Sequence, residues 1–202
     1  MKEPRISEKR NNMIENMSIA DKLLEDNEIW IEGEITVSQV NRIISILHII
    51  EQKSASENDG IINDNVRILI ASAGGSIEAA LNLVNYLKNT SLKVTTVAVN
   101  NCFSAAAIIW LAGEQRHILP FSRLMFHEIS HVTSEDFHYD IERIKRIYDD
   151  LTKLNSEVYR VIAHAIEKDE KEVKEMIAGK DLYLSAQETL MQGFATEIID
   201  TL

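Results

Sequence analysis

The chain has 202 residues, 45% of them apolar, a formal net charge of −11 at pH 7 and a single cysteine. That length supports one domain with a substantial core. The acidic balance argues against a nucleic-acid binder, which needs a basic face to offset phosphate, and a lone Cys102 excludes both an intramolecular disulfide and a multi-cysteine metal site.

Residues 1–17 are polar, of mixed charge and aperiodic, and are expected to form a mobile N-terminal arm. One domain is expected over 18–202. Glu28-Ile29-Trp30-Ile31 reads as a short strand ending near Gly33. Val37, Val40, Ile43, Ile44, Leu47 and Ile50 fall at helical spacing, so an amphipathic helix is predicted over 38–52 with Thr36 as N-cap. Residues 53–65 are rich in Ser, Asn, Asp and Gly and read as a surface loop. Its Asn/Asp content resembles a calcium loop in composition only, without the ordered ligand spacing. Val66–Ala71 is an apolar strand, and Gly74-Gly75 follows it. Ser76 caps a helix running to about Asn89, and Lys93–Val99 is a β-branched strand.

Ser104–Gly113 reads as a buried helix stopped by Gly113. His117–Leu119 and Arg123–Phe126 are short strands either side of a Pro120 turn. Strand and helix alternate, which predicts an α/β fold with a parallel core sheet. From about Phe137 to Ile166 the apolar residues keep helical period. Such a helix is about 45 Å long, against a domain width of about 40 Å, so part of it is expected to project and pack on another subunit. A short helix over Glu170–Ala178, the segment Asp181–Leu184, a helix opened by Ser185 and a terminal strand at Ala195–Ile199 close the chain. No basic–apolar–small targeting signal opens it. Its longest apolar stretches, Ile43–Ile50 and Ala105–Gly113, are too short for a bilayer. A soluble cytoplasmic protein without membrane partners is expected.

The chemistry concentrates around one serine. Ser104 heads the small-residue run Ala105-Ala106-Ala107, twenty-nine residues after Gly75 and twenty-three before His127. A serine hydroxyl is a weak nucleophile until a base takes its proton and a third group orients that base. A helix opened by Ser104 would leave the Ala105 N–H free to stabilise an oxyanion. Gly75 could present a second N–H with no side chain in the way. His127 is the candidate base. Asp181, between a Gly179-Lys180 turn and an apolar segment, is the best candidate for the orienting carboxylate. Taken singly each has a plainer reading: Ser104 as an N-cap, His127 as a structural histidine, Gly74-Gly75 as a turn, Asp181 as a loop acid or cap. Cys102 reads as a small buried residue, and His48, His131, His138 and His164 have no metal-ligand spacing with acids.

In this order the segments resemble the caseinolytic Clp peptidase family, ClpP. Ile70-Ala71-Ser72-Ala73-Gly74-Gly75 is similar to its strand and Asn-Ser-Pro-Gly-Gly, and Cys102-Phe103-Ser104-Ala105-Ala106 to its nucleophile segment. Leu119-Pro120-Phe121-Ser122-Arg123-Leu124-Met125-Phe126-His127 matches every fixed position of its base segment, and Lys180-Asp181-Leu182-Tyr183-Leu184-Ser185-Ala186 is similar to its acid segment. The resemblance implies the ClpP/crotonase-like fold of repeated β-β-α units, with a head (about 18–128 and 168–202) and a long handle helix (about 129–167). It implies a serine endopeptidase acting on unfolded polypeptides, with Ser104, His127 and Asp181 as triad and the Gly75 and Ala105 N–H groups as oxyanion hole. Stacked rings of this chain, usually heptameric in the family, would enclose the sites in a chamber fed by a AAA+ Clp ATPase. No cofactor or metal is implied for peptide cleavage, and ATP enters only through that partner.

The chain departs from the family pattern at several positions. Ala73 stands for a proline, Asn100 and Ala106 for glycines, Phe103 for a small residue, Ala105 for methionine, and Glu128-Ile129-Ser130-His131 for the family's Gln-Pro segment. Residues 1–17 do not resemble its axial loop. Two other readings remain open: a non-catalytic ClpP-like subunit of a mixed ring, and a crotonase-like acyl-CoA enzyme, which shares the core and the paired N–H groups.

Overall fold

The computed structural model describes residues 27–56, 64–130 and 140–202. The N-terminal arm, most of the predicted 53–65 loop, and His131, Phe137 and His138 lie outside the described residues. Seven strands and six helices follow one another through this part of the chain. They are β1 (Glu28–Ile35), α1 (Val37–Ser56), β2 (Asn65–Gly75), α2 (Ile77–Asn89), β3 (Lys93–Phe103), α3 (Ala105–Trp110) and β4 (Gln115–Ile118). Then come β5 (Arg123–Phe126), α4 (Ile141–Ala165), α5 (Glu170–Ile177), β6 (Leu182–Ser185), α6 (Ala186–Met191) and β7 (Glu197–Ile198).

The strands form one sheet in the order β1-β2-β3-β4-β7, parallel throughout. This is the α/β architecture with a parallel core that the alternation of elements predicts. Central strands covered on both faces must be apolar throughout. Ile68, Leu69 and Ile70 of β2 and Val97 and Ala98 of β3 are accordingly buried. The predicted helical face of α1 is also the buried one, with Val40, Ile43, Leu47 and Ile50 in the core. Thr36 caps α1 by accepting from the Gln39 N–H at 3.2 Å, and Ser76 caps α2 by accepting from Ala79 N–H at 3.2 Å.

Two irregularities shape the end of the sheet that carries the site. The β2–β3 register runs Ile70↔Ala98 and then Ser72↔Cys102, so β3 holds extra residues there and bends. Below the bend β3 pairs with β4, and above it Asn101–Phe103 pairs with β5. Both β2 and β3 run past the predicted ends at Ala71 and Val99. Residues 72–75 have little intrinsic strand preference, but pairing with Glu34 and Ile35 of β1 carries them to Gly75. β6 then adds antiparallel to β5, with Phe126 opposite Leu182.

Helix α4 is divided along its length. Val158, Tyr159, Ile162 and Ala163 are buried, whereas Ile141, Ile144 and Tyr148 stand in solvent. Arg116 fixes its C-terminal end, donating to Ala165 O at 3.1 Å and Phe194 O at 2.6 Å. Among the described residues no helix is long and apolar enough to cross a membrane.

Candidate active site

The site gathers where parallel strands end, the usual place for ligands on such sheets. Ser104 is the single residue between β3 and α3, and it takes φ +54° and ψ −125°. A non-glycine residue held there stores on the order of 1–3 kcal/mol of strain and needs fixed surroundings. They are present: Ser104 N–H donates to Met125 O at 2.8 Å, and Ile108 N–H donates to Ser104 O at 3.2 Å. Twisted in this way, the side chain makes no capping bond to α3. Its Oγ lies instead 2.7 Å from His127 Nε2. The helix-cap reading of Ser104 fails because the backbone turns the hydroxyl away from its own helix.

His127 follows β5 directly, so the β3–β5 pairing sets its distance from Ser104. With the ring proton on Nδ1, Nε2 accepts the Ser104 hydroxyl proton. Among the described residues nothing hydrogen-bonds to Nδ1. Asp181 is exposed and makes no hydrogen bond to His127 in this arrangement. Its backbone position is nonetheless specific. The β5–β6 register pairs Arg123 with Ser185 and ends at Phe126 with Leu182, and His127 and Asp181 are the next residues beyond that last pair on the two segments.

Gly74 and Gly75 enter from β2 with φ +105° and +151°. A Cβ on Gly74 would stand 2.8 Å from Ser104 Cβ, and one on Gly75 would stand 2.4 Å from Ile35 O. Only glycine lets β2 pass this close to both neighbours. Ser72, buried, accepts from Gly74 N–H at 3.1 Å and donates to Gly33 O at 2.5 Å, tying the turn to β1. Ala105 opens α3 on the other side, where first-turn N–H groups lack intrahelical acceptors.

A cleft of about 450 Å³ lies over these groups. Gly75, Ser104, Ala105 and His127 line one part, and Ile108, Phe126, Leu154 and Val158 form an apolar wall. A hydroxyl paired with an imidazole, beside a strand-end glycine and the first turn of a helix, is a set of groups that acyl transfer can use.

Sequence reasoning missed the groups that hold the segment after His127. Ile129 N–H donates to Asn155 Oδ1 at 2.8 Å. The Glu128 carboxylate accepts from Tyr159 Oη at 2.5 Å and from Gly179 N–H at 3.0 Å. These bonds hold its carboxyl below the ordinary range, and the charge they fix is directed at α4 and the α5–β6 turn. Asn155 and Tyr159 are four residues apart on α4, and that polar i, i+4 pair in an apolar helix face was the available signal. Cys102 is fully buried, and burial pushes its thiol well up.

A parallel α/β sheet with a serine–histidine pair and two glycines converging at its strand ends defines the class, a fold built around a candidate nucleophile site. The Clp protease family model matches residues 9–202, and the chain belongs to that family. The ATP-dependent Clp protease proteolytic subunit of Leuconostoc citreum is 25% identical over 199 residues, spanning 97% of this chain and 94% of that protein. The ATP-dependent Clp protease proteolytic subunit 1 of Rhodopirellula baltica is 25% identical over 187 residues, spanning 91% and 76%. Among solved structures, a ClpP1 mutant from Listeria monocytogenes is similar with a TM-score of 0.77 at 25% identity, over 91% of this chain and 97% of that one.

Proposed function

We propose that this chain is a serine endopeptidase subunit that cleaves unfolded polypeptides. The observation that carries the reading is the 2.7 Å approach of Ser104 Oγ to His127 Nε2 beside Gly75 and Ala105. In the proposed reaction His127 accepts the Ser104 proton as Oγ attacks the peptide carbonyl. The N–H groups of Gly75 and Ala105 receive the developing oxyanion. The imidazolium then gives its proton to the leaving amine, and water repeats the sequence on the acyl-enzyme. Asp181 closes on Nδ1 to fix the tautomer, a role supported by its place one residue before β6, next to the last β5–β6 pair as His127 is. None of these steps calls on a cofactor.

Family membership supports self-association into stacked rings enclosing the sites, with a Clp ATPase delivering substrate and ATP used only by that partner. A cytoplasmic setting follows from the same reading. The exposed apolar residues Ile141, Ile144 and Tyr148 of α4 suit a subunit contact. The test is labelling of the assembled protein with a fluorophosphonate probe, the adduct located by mass spectrometry. An adduct on Ser104, absent together with peptide cleavage in Ser104→Ala, is the expected result. No adduct in an assembled sample overturns the assignment and favours a non-catalytic ring subunit. The exposed, unpaired placement of Asp181 is the observation on that side.

A further inference from the structure

Beyond Phe126–Leu182 the β5–β6 ladder has no further backbone pair. His127 and Asp181 stand at the first unpaired step, where the strands are free to splay. The next residues carry a substitute connection. Glu128 follows His127, Gly179 lies two before Asp181, and the Glu128 carboxylate accepts from the Gly179 N–H at 3.0 Å. Its other oxygen accepts from Tyr159 Oη at 2.5 Å, so the same carboxylate is anchored to α4. Three segments distant in sequence thus meet on one side chain: the end of β5, the C-terminal third of α4 and the turn between α5 and β6.

From this geometry we propose that Glu128 is a positioning residue, clamping the turn that carries Asp181 to the strand end that carries His127. It does not itself touch the reacting atoms, because both carboxylate oxygens are engaged elsewhere. Its action on turnover is through Asp181 and therefore rests on the peptidase reading; the clamp itself does not. Gln at this position can keep both links, its carbonyl accepting from Gly179 and its amide donating to the Tyr159 oxygen. Ala keeps neither. Loosening the turn by about 1 Å is enough to cost roughly a hundredfold in rate.

The experiment measures peptide kcat and KM for the full chain, Glu128→Ala and Glu128→Gln, each also carrying Asp181→Asn. It adds amide hydrogen exchange across 177–182. Glu128→Ala is expected to lower kcat by roughly ten- to a hundredfold with KM within about threefold, and Glu128→Gln to restore most of it. In the Asp181→Asn background the same substitution is expected to change kcat by less than about threefold, since two residues acting as a unit are not additive. Equal losses in both backgrounds, or no loss in either, overturn the proposal. If the unmodified chain neither cleaves peptide nor labels at Ser104, the peptidase reading fails separately. The clamp is then read from exchange alone: protection lost in Glu128→Ala and kept in Glu128→Gln supports it, and equal protection in all three refutes it.

Discussion

Gly74→Ala gives a sharp test of whether Ser104 is held to a working position, because it alters neither the candidate triad nor an oxyanion donor. The added Cβ would lie 2.8 Å from Ser104 Cβ and 2.9 Å from Phe103 O. Carbon atoms in contact settle near 3.5–4.0 Å, so one side must yield by about 0.7 Å or more. Phe103 is paired to Met125 and Ser104 N–H is bonded to Met125 O, so neither neighbour moves freely. The φ of +105° adds strain on the order of 1–3 kcal/mol for a residue with a side chain. A displacement of that size at the nucleophile is expected to reduce kcat by roughly ten- to a hundredfold, about 1.4–2.8 kcal/mol on the barrier. The assay is peptide turnover and the rate of fluorophosphonate labelling, with thermal melting to establish that the variant is folded. Gly193→Ala is the control: its φ is +78° and its added Cβ meets nothing within 4 Å. It should cost about 1–2 kcal/mol of stability and leave turnover unchanged. A folded Gly74→Ala with the parent's kcat and labelling rate would refute the reasoning.

Two further predictions follow from the surroundings of the core and the cleft. Glu51 accepts hydrogen bonds from the Ser91 N–H, the hydroxyls of Thr90 and Ser91, and Tyr86, which hold its carboxyl down at about 2 against an ordinary 4.5. Its folded value is depressed, so the stabilisation is complete above about pH 4.5 and is lost as pH falls towards about 2. Glu51→Gln should therefore cost about 1–3 kcal/mol at pH 7, and denaturant titrations of the two proteins should converge near pH 2; a constant gap across that range would contradict the assignment. The apolar wall of Ile108, Phe126, Leu154 and Val158 predicts that peptides presenting a large apolar side chain beside the scissile bond are cleaved in preference to acidic ones. Roughly a hundredfold in kcat/KM is the expected scale, from the cost of burying an unpaired charge, and equal cleavage of both series would remove the cleft from the binding model.

What was legible in the sequence was what short-range pattern encodes. The buried stripe of α1 and the caps at Thr36 and Ser76 depend on neighbours within four residues, and both could be read from spacing. The strand ends depend on distant partners. Ser72–Gly75 looks like a turn by composition, yet β1 holds it as strand and Ser72 spends its hydroxyl on Gly33 and Gly74. The ordered set Gly75, Ser104, His127 and Asp181 could be proposed from residue types and resemblance. The 2.7 Å approach of Ser104 to His127 depends on the bend in β3 and its switch of partner from β4 to β5, which no local pattern announces. The Glu128 clamp joins residues 31 and 51 positions apart, and the polar pair Asn155 and Tyr159 on α4 hints at one half of it without naming the partner.

The departures from the family pattern near Ser104 can be judged by where their side chains go. Phe103 replaces a small residue immediately before Ser104, and a ring in the cleft would block a substrate carbonyl. The ring instead meets Tyr183 of β6 edge-on, with centroids 5.8 Å apart, and does not line the cleft. Arg123 of β5 lies over the same Tyr183 ring, 5.7 Å from its centre. An aromatic pair of this geometry contributes about 0.5–1.5 kcal/mol beyond its burial, and here it fastens β6 to the end of β3. β6 begins at the residue after Asp181, so the bulky residue beside Ser104 braces the strand that follows the candidate acid. Ala105, in place of methionine, is buried and lines the cleft, and a backbone N–H does not depend on the side chain it bears. Both changes thus leave the cleft open at the hydroxyl. The Phe103–Tyr183 contact and the Glu128–Gly179 bond thus reach the two sides of Asp181, at Tyr183 and at Gly179, and under the proposed reaction they are what would hold it near His127.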